Sequence, residues 1–133
     1  MRKQTFALLA LAGLLLTGCA TSQSRAVRSE FEDIPVPRGL ALQEDKSTII
    51  ESPSVKAARL VYRGRIEALS LATAMRTTLE ANGWRSVSAN TSGNQGTTQV
   101  YEKAGNSLQV KLWEGWYFTY VELTASRGLA AAR

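Results

Sequence analysis

Downstream of residue 30, one stretch carries a helical period, and it sits among segments that alternate with period two. In E67-A-L-S-L-A-T-A-M-R-T-T-L-E-A-N82, the residues Ala68, Leu71, Ala72, Met75 and Leu79 recur at i, i+3, i+4, i+7 and i+11, giving a single apolar stripe. Asn82-Gly83 supplies the stop, because glycine enters the left-handed region after a last turn without Cβ strain, and Trp84 is placed to pack back on that turn. Met75 reads as core filler. A lone stripe of this kind needs a sheet to bury it.

The flanking segments supply the strands. S47-T-I-I-E51 is β-rich, and the segment from Ala57 to Ile66 alternates, with Leu60, Tyr62 and Ile66 on one side and Arg59, Val61, Arg63 and Arg65 on the other. The two are expected to form a hairpin turning at Ser52-Pro53-Ser54. After the helix come strands over 85–89, 97–103, 107–113 and 116–124, joined by a loop over 90–96, a turn at 104–106 and a tight Glu114-Gly115 link. Asn90-Thr91-Ser92 matches a glycosylation sequon and is read simply as part of that loop. The expectation is an α+β domain over 31–126 in the order ββαββββ or one strand shorter, with one helix packed on an antiparallel sheet of about five to six strands. From about residue 40 to 126 fewer than 90 residues remain, enough for one small core. F31-E-D-I-P-V-P-R-G39 is expected to be an extended leading arm lying over the domain, since Pro35 and Pro37 fix φ and hold their neighbours extended. Residues 127–133 read as a disordered or frayed tail.

The other end of the chain has a different order: Arg2 and Lys3, an apolar run from Phe6 to Leu16, then small residues up to Cys19. That is the order of a secretory signal. Its apolar core is about eleven residues, roughly 16 Å as a helix, whereas a span needs about 20 residues. Within this setting Leu16-Thr17-Gly18-Cys19 resembles the lipobox of bacterial lipoproteins. The resemblance implies a diacylglycerol on the Cys19 sulfur, cleavage between Gly18 and Cys19, and membrane lipid as a partner of the acylated residue. Ala20 after the cysteine is similar to the outer-membrane class, which implies an exported chain held on the periplasmic side of a Gram-negative outer membrane. An ordinary signal peptide with a cysteine near its cleavage site is the plainer alternative. Two or three acyl chains would make release negligible, since each buried methylene contributes about 0.8 kcal/mol. Residues 19–30 then form the acylated cysteine and a polar tether. D33-I-P-V-P37 and G83-W84 resemble, in turn, a group of small bacterial lipoproteins with such an arm and such a helix end, and imply no particular activity.

The catalytic inventory is thin. The chain has no histidine and one cysteine, so neither a Ser-His pair nor a histidine metal site can be built. Asp33 and Asp45 lie ahead of the main strands and the glutamates are scattered. S92-G-N-Q-G96 lacks the Gly-Lys-Ser/Thr ending of a phosphate loop, and the adjacent Lys46 and Ser47 point to opposite faces of a strand. The expectation is a protein that is not an enzyme, with no catalytic residues, no metal and no cofactor; a small hydrolase using a carboxylate pair formed in space is the remotest reading. With Arg2 and Lys3 removed, the net charge is about +3, mildly basic, and export disfavours nucleic acid as a partner.

The informative stretch is K111-L-W-E-G-W-Y-F-T-Y120, five aromatics in ten residues. With Glu114-Gly115 as a two-residue loop, Trp113 pairs with Trp116, Lys111 with Phe118 and Gln109 with Tyr120, all on one face, and Leu112, Val110 and Leu108 face Tyr117, Thr119 and Val121 on the other, which suits packing beneath the helix. Glu-Gly is a weaker turn than Asn-Gly, and a wider loop stays open. By the same parity Arg59, Arg63 and Arg65 share that face, and one helix covers only one side of a sheet. Such a face is either a binding surface, since Trp, Tyr and Arg dominate hot spots, or a packing surface beneath the leading arm. The first reading gives an anchored, non-enzymatic envelope protein that binds an envelope or surface protein partner. Its alternative is a module for cell-wall or lipopolysaccharide sugars stacked on Trp113 and Trp116.

Overall fold

The helical-period segment folds as α1 (Ala68–Ala81), and both of its ends are closed by side-chain and backbone partners. At the start, the Glu67 carboxylate accepts from the Leu69 N–H at 2.9 Å, the Ser70 N–H at 2.7 Å and the Ser70 hydroxyl at 2.6 Å. At the end, Gly83 at φ 85° lets its N–H reach the Glu80 carbonyl (3.1 Å) while the Trp84 N–H reaches the Leu79 carbonyl (3.0 Å). This is the Schellman pattern, and Trp84 and Leu79 are both buried in the core as its apolar clasp.

The computed structural model describes Phe31 and residues 33–128; the leader, Cys19, the tether and the tail beyond Gly128 lie outside these residues. Seven strands form one antiparallel sheet: β1 (Ala41–Leu42), β2 (Thr48–Glu51), β3 (Val55–Gly64), β4 (Arg85–Ser92), β5 (Gly96–Lys103), β6 (Asn106–Glu114) and β7 (Thr119–Gly128). Across the sheet they run β1-β3-β7-β6-β5-β4, with β2 also against β3. The helix carries the chain from β3 to the far edge at β4, and three hairpins bring it back to lay β7 beside β3. The protein is therefore α+β, one helix on an antiparallel sheet.

Three details differ from the sequence expectation. The order is βββαββββ, because β1 and β2 share one edge lane, pairing Ala41 with Arg63 and then Thr48 with Arg59, on either side of a 3-10 turn at Glu44–Lys46. A two-residue strand shows no alternation to be read. Most of the expected 90–96 loop is strand, with Thr91 opposite Thr97 and Ser92 opposite Gly96. Gly96 permits this: at φ 81° a Cβ there would lie 1.9 Å from the Leu112 carbonyl oxygen of the neighbouring strand. Finally, β7 runs through Arg127 and Gly128, which had been assigned to the tail. Arg127 is held there by an ion pair with Asp33 and by the Phe31 ring, 4.8 Å from its guanidinium.

One face of the sheet is the core. Leu60, Leu108, Val110, Leu112, Val121 and Leu123 pack beneath Leu71, Met75 and Leu79 of α1. A polar link crosses this layer: the Tyr101 hydroxyl donates to the Gln99 side chain (2.9 Å), whose amide donates to the Ala72 carbonyl (3.1 Å). Burial pushes the Tyr101 phenol above its ordinary pKa, an effect that Arg76 opposes and Glu80 reinforces. Phe31 and Ile34 are buried in the same cluster. The leading arm thus lies on the helix side and leaves the opposite face of the sheet to other neighbours.

Candidate functional site

The register of β6 and β7 decides what that opposite face displays. Trp113 pairs with Tyr120, Lys111 with Glu122 and Glu114 with Thr119, so the expected pairings of Trp113 with Trp116 and of Lys111 with Phe118 do not form. The turn centre lies two residues later, at Trp116-Tyr117, with the Gly115 N–H donating to the Phe118 carbonyl at 2.7 Å. The reason is on the core side. The observed register sets Leu112, Val110 and Leu108 opposite Val121, Leu123 and Ala125, whereas the expected one sets Val110 opposite Thr119 and leaves Leu123 and Ala125 beyond that match. The register slides by four residues, an even number, which keeps the parity of a strand with period two. Lys111, Trp113 and Tyr120 therefore stay on the open face, while Trp116 and Phe118 move into the turn.

On that face most of the expected residues come together. The Trp113 and Tyr120 rings stack with centroids 5.5 Å apart and planes at 11°. The Arg63 guanidinium lies 4.7 Å from the Phe118 centroid and that of Arg65 lies 4.4 Å from the Tyr117 centroid. Tyr117 and Phe118 meet edge to face at 4.9 Å. Arg59 stands apart from the rings and donates to Glu122 at 2.6 Å, and this hydrogen bond with the carboxylate holds its guanidinium above its ordinary pKa. Lys111 is exposed. Trp116 touches none of these rings: at the tip of the turn it is 103% exposed.

Two members of this surface escaped the sequence reading. The 3-10 turn folds over the open face, with the Lys46 ammonium 5.3 Å from the Tyr120 centroid and the Lys46 carbonyl accepting from Arg59. Beneath it Val61 is buried on the side away from the helix, its N–H donating to the Ser47 hydroxyl and its carbonyl accepting from the Gln43 N–H. Lys46 has no strand period to place it, so only the paired edge lane brings it to Tyr120. The other is Tyr117, which parity assigned to the core face and which is 58% exposed at the tip.

The loops around the tip form one end of the domain. A surface depression of about 870 Å³ is bordered by the 91–97 hairpin, Glu67–Leu69 at the start of α1, Lys111–Glu114, Arg59 and Glu122. A smaller one of about 260 Å³ lies between Arg65-Ile66 and the 114–119 turn, where the Thr119 hydroxyl donates to the Ile66 carbonyl at 2.6 Å. The carboxylates are dispersed over the domain. Glu67 is engaged in capping, where Ser70 and the Leu69 and Ser70 amides hold it below the ordinary glutamate pKa, and Glu51, Glu80, Glu102 and Asp33 each face a basic side chain. Among the described residues, no group of three or more His, Cys, Asp or Glu is placed to hold a metal ion. Compared with known proteins, the chain matches no family model, no curated protein and no solved structure.

Proposed function

We propose that this is a non-enzymatic envelope lipoprotein, anchored through acyl chains on Cys19, whose domain binds a protein partner through the aromatic and cationic end of its open sheet face. The observation that carries the reading is the turn at Trp116-Tyr117. The link from β6 to β7 is Gly115–Phe118, with Trp116 and Tyr117 at its centre, and a four-residue link asks for no large aromatic there. Trp116 is also fully exposed. An indole left wholly in water beside other rings and guanidinium groups is where a binding requirement is expected. Trp, Tyr and Arg, gathered here, are the residue types that dominate protein–protein hot spots.

Photo-crosslinking in cells from a probe at position 116 tests the reading, with a probe at the exposed helix position Thr77 as control. A discrete protein adduct from 116 and none from 77 is expected; equal labelling from both would sink it. Labelling with radioactive palmitate tests the anchor, which requires that incorporation vanish in Cys19→Ser. A sugar-binding module is the second reading. The 870 Å³ depression favours it, because Thr91, Ser92, Asn94 and Gln95 border it beside Trp113. Retention on purified wall material, lost in Trp113→Ala, would select that alternative.

A further inference from the structure

We infer that the partner contributes an acidic protein segment, and that it is met at the end of the domain opposite the membrane anchor. The inference rests on the protein-binding reading above and adds the chemistry and the direction of the contact.

The direction follows from strand β7. It leaves the aromatic turn at Thr119 and ends at Gly128, and the chain enters the domain beside that second end, where Phe31 and Asp33 hold Arg127. Eight residues separate Thr119 from Arg127, about 27 Å at about 3.4 Å per residue in an antiparallel strand. The thirty residues that precede Phe31, Cys19 among them, are therefore joined to the domain at the end away from Trp116. Twelve residues from Cys19 to Phe31 reach at most about 40 Å. Trp116 is thus at the end of the domain away from the point where the Cys19-bearing segment joins it.

The chemistry follows from which cations face rings rather than carboxylates among the described residues. Away from the turn, Arg127, Lys56, Arg85 and Arg76 each face an acidic side chain. Around the turn, Lys46, Arg63 and Arg65 face the rings of Tyr120, Phe118 and Tyr117 instead. A ring face attracts and orients a guanidinium but leaves its five N–H donors at the rim in water. Carboxylates arriving from outside would meet donors already oriented, in the bidentate geometry that guanidinium offers. Of the acids at this end, Glu67 caps the helix and Glu122 is taken by Arg59, while Glu114 stands beside the tip and Glu44 and Asp45 on the flanking 3-10 turn, so the cations are only partly offset. Trp116 supplies the apolar contact that such a segment needs for more than screened charge.

The test uses the full lipidated chain in discs of neutral phosphatidylcholine, titrated with a dodecapeptide of repeating Glu-Glu-Leu and, separately, its Gln-Gln-Leu counterpart. Tryptophan emission and anisotropy of the labelled peptide are the readouts. The glutamate peptide is expected to bind at least tenfold more tightly than the glutamine peptide. Arg63→Gln with Arg65→Gln should remove that preference, and Trp116→Ala should weaken binding at least tenfold, each at unchanged melting temperature. Brominated lipids in the same discs should leave Trp116 emission unquenched. Equal binding of the two peptides, or of neither, overturns the acidic segment. Quenching by brominated lipid, or a Trp116 shift only when phosphatidylglycerol is added, overturns the direction and makes the turn a membrane contact. A discrete crosslink from position 116 to a protein, alongside equal peptide binding, would leave the protein-binding reading standing and this inference refuted.

Discussion

Strand β6 is bounded by two hairpin links built by different rules, the two-residue Ala104-Gly105 at its start and the four-residue Gly115–Phe118 at its end. At its start, Ala104 and Gly105 both have positive φ, 49° and 76°, the mirror-image turn whose twist matches its flanking strands. At its other end stand Trp116 and Tyr117, and neither takes positive φ, since Ala104 is the one non-glycine residue that does so among the described residues. The first turn is what folding alone would select, down to a glycine in open space. The second exposes a whole indole to water. Because both close the same strand, their difference separates what the backbone needs from what the surface is for.

If the core side sets the register that puts Trp116 at the tip, the largest loss of stability comes from that side. Leu123→Ala should cost about 2–5 kcal/mol in a denaturant melt, with a change of similar size absent for any single substitution at the tip. Next is the polar link beneath the helix: Gln99→Leu strands the buried Tyr101 hydroxyl and should cost about 1–3 kcal/mol. Adding Tyr101→Phe should recover most of it, which a double-mutant cycle reads directly. A smaller effect of opposite sign sharpens the contrast between the turns. Ala104→Asn places the favoured Asn-Gly pair in the first turn and should add up to about 1 kcal/mol without touching any partner adduct. The smallest is a pH effect at the helix cap. Glu67 has a native pKa below its unfolded value, so its contribution is present above the unfolded value of about 4.3 and is lost as pH falls through the native one. Glu67→Gln should therefore lower the melting temperature at neutral pH, with the gap to wild type closing in acid.

How much of this was legible depended on period. The helix, its Gly83-Trp84 end and the split of β3 into a core side and an arginine side all follow from periodicity, and the faces of β6 and β7 survive a register slide of four because it is even. The turn position was not legible, because local turn preference offered Glu114-Gly115, while the decision rests on Leu123 and Ala125 finding partners across the sheet, a match read from the whole hairpin. Lys46 and β1 were hidden for a related reason: they are placed by pairing with β3 and carry no period of their own. The face taken by the leading arm was equally out of reach, since Phe31 and Ile34 could pack on either side until the helix left room for them.

The most direct test replaces the tip alone. In Trp116→Ser with Tyr117→Asn, the tip loses its aromatics and keeps residue types that a turn without positive φ accepts, and the melting temperature and the crosslink from a probe at the neighbouring position Glu114 are measured together. The account predicts a melting temperature equal to or above wild type and loss of the partner adduct. A clear drop in melting temperature, or an adduct that persists undiminished, would contradict it: the first would make the aromatics structural, and the second would place the binding surface elsewhere.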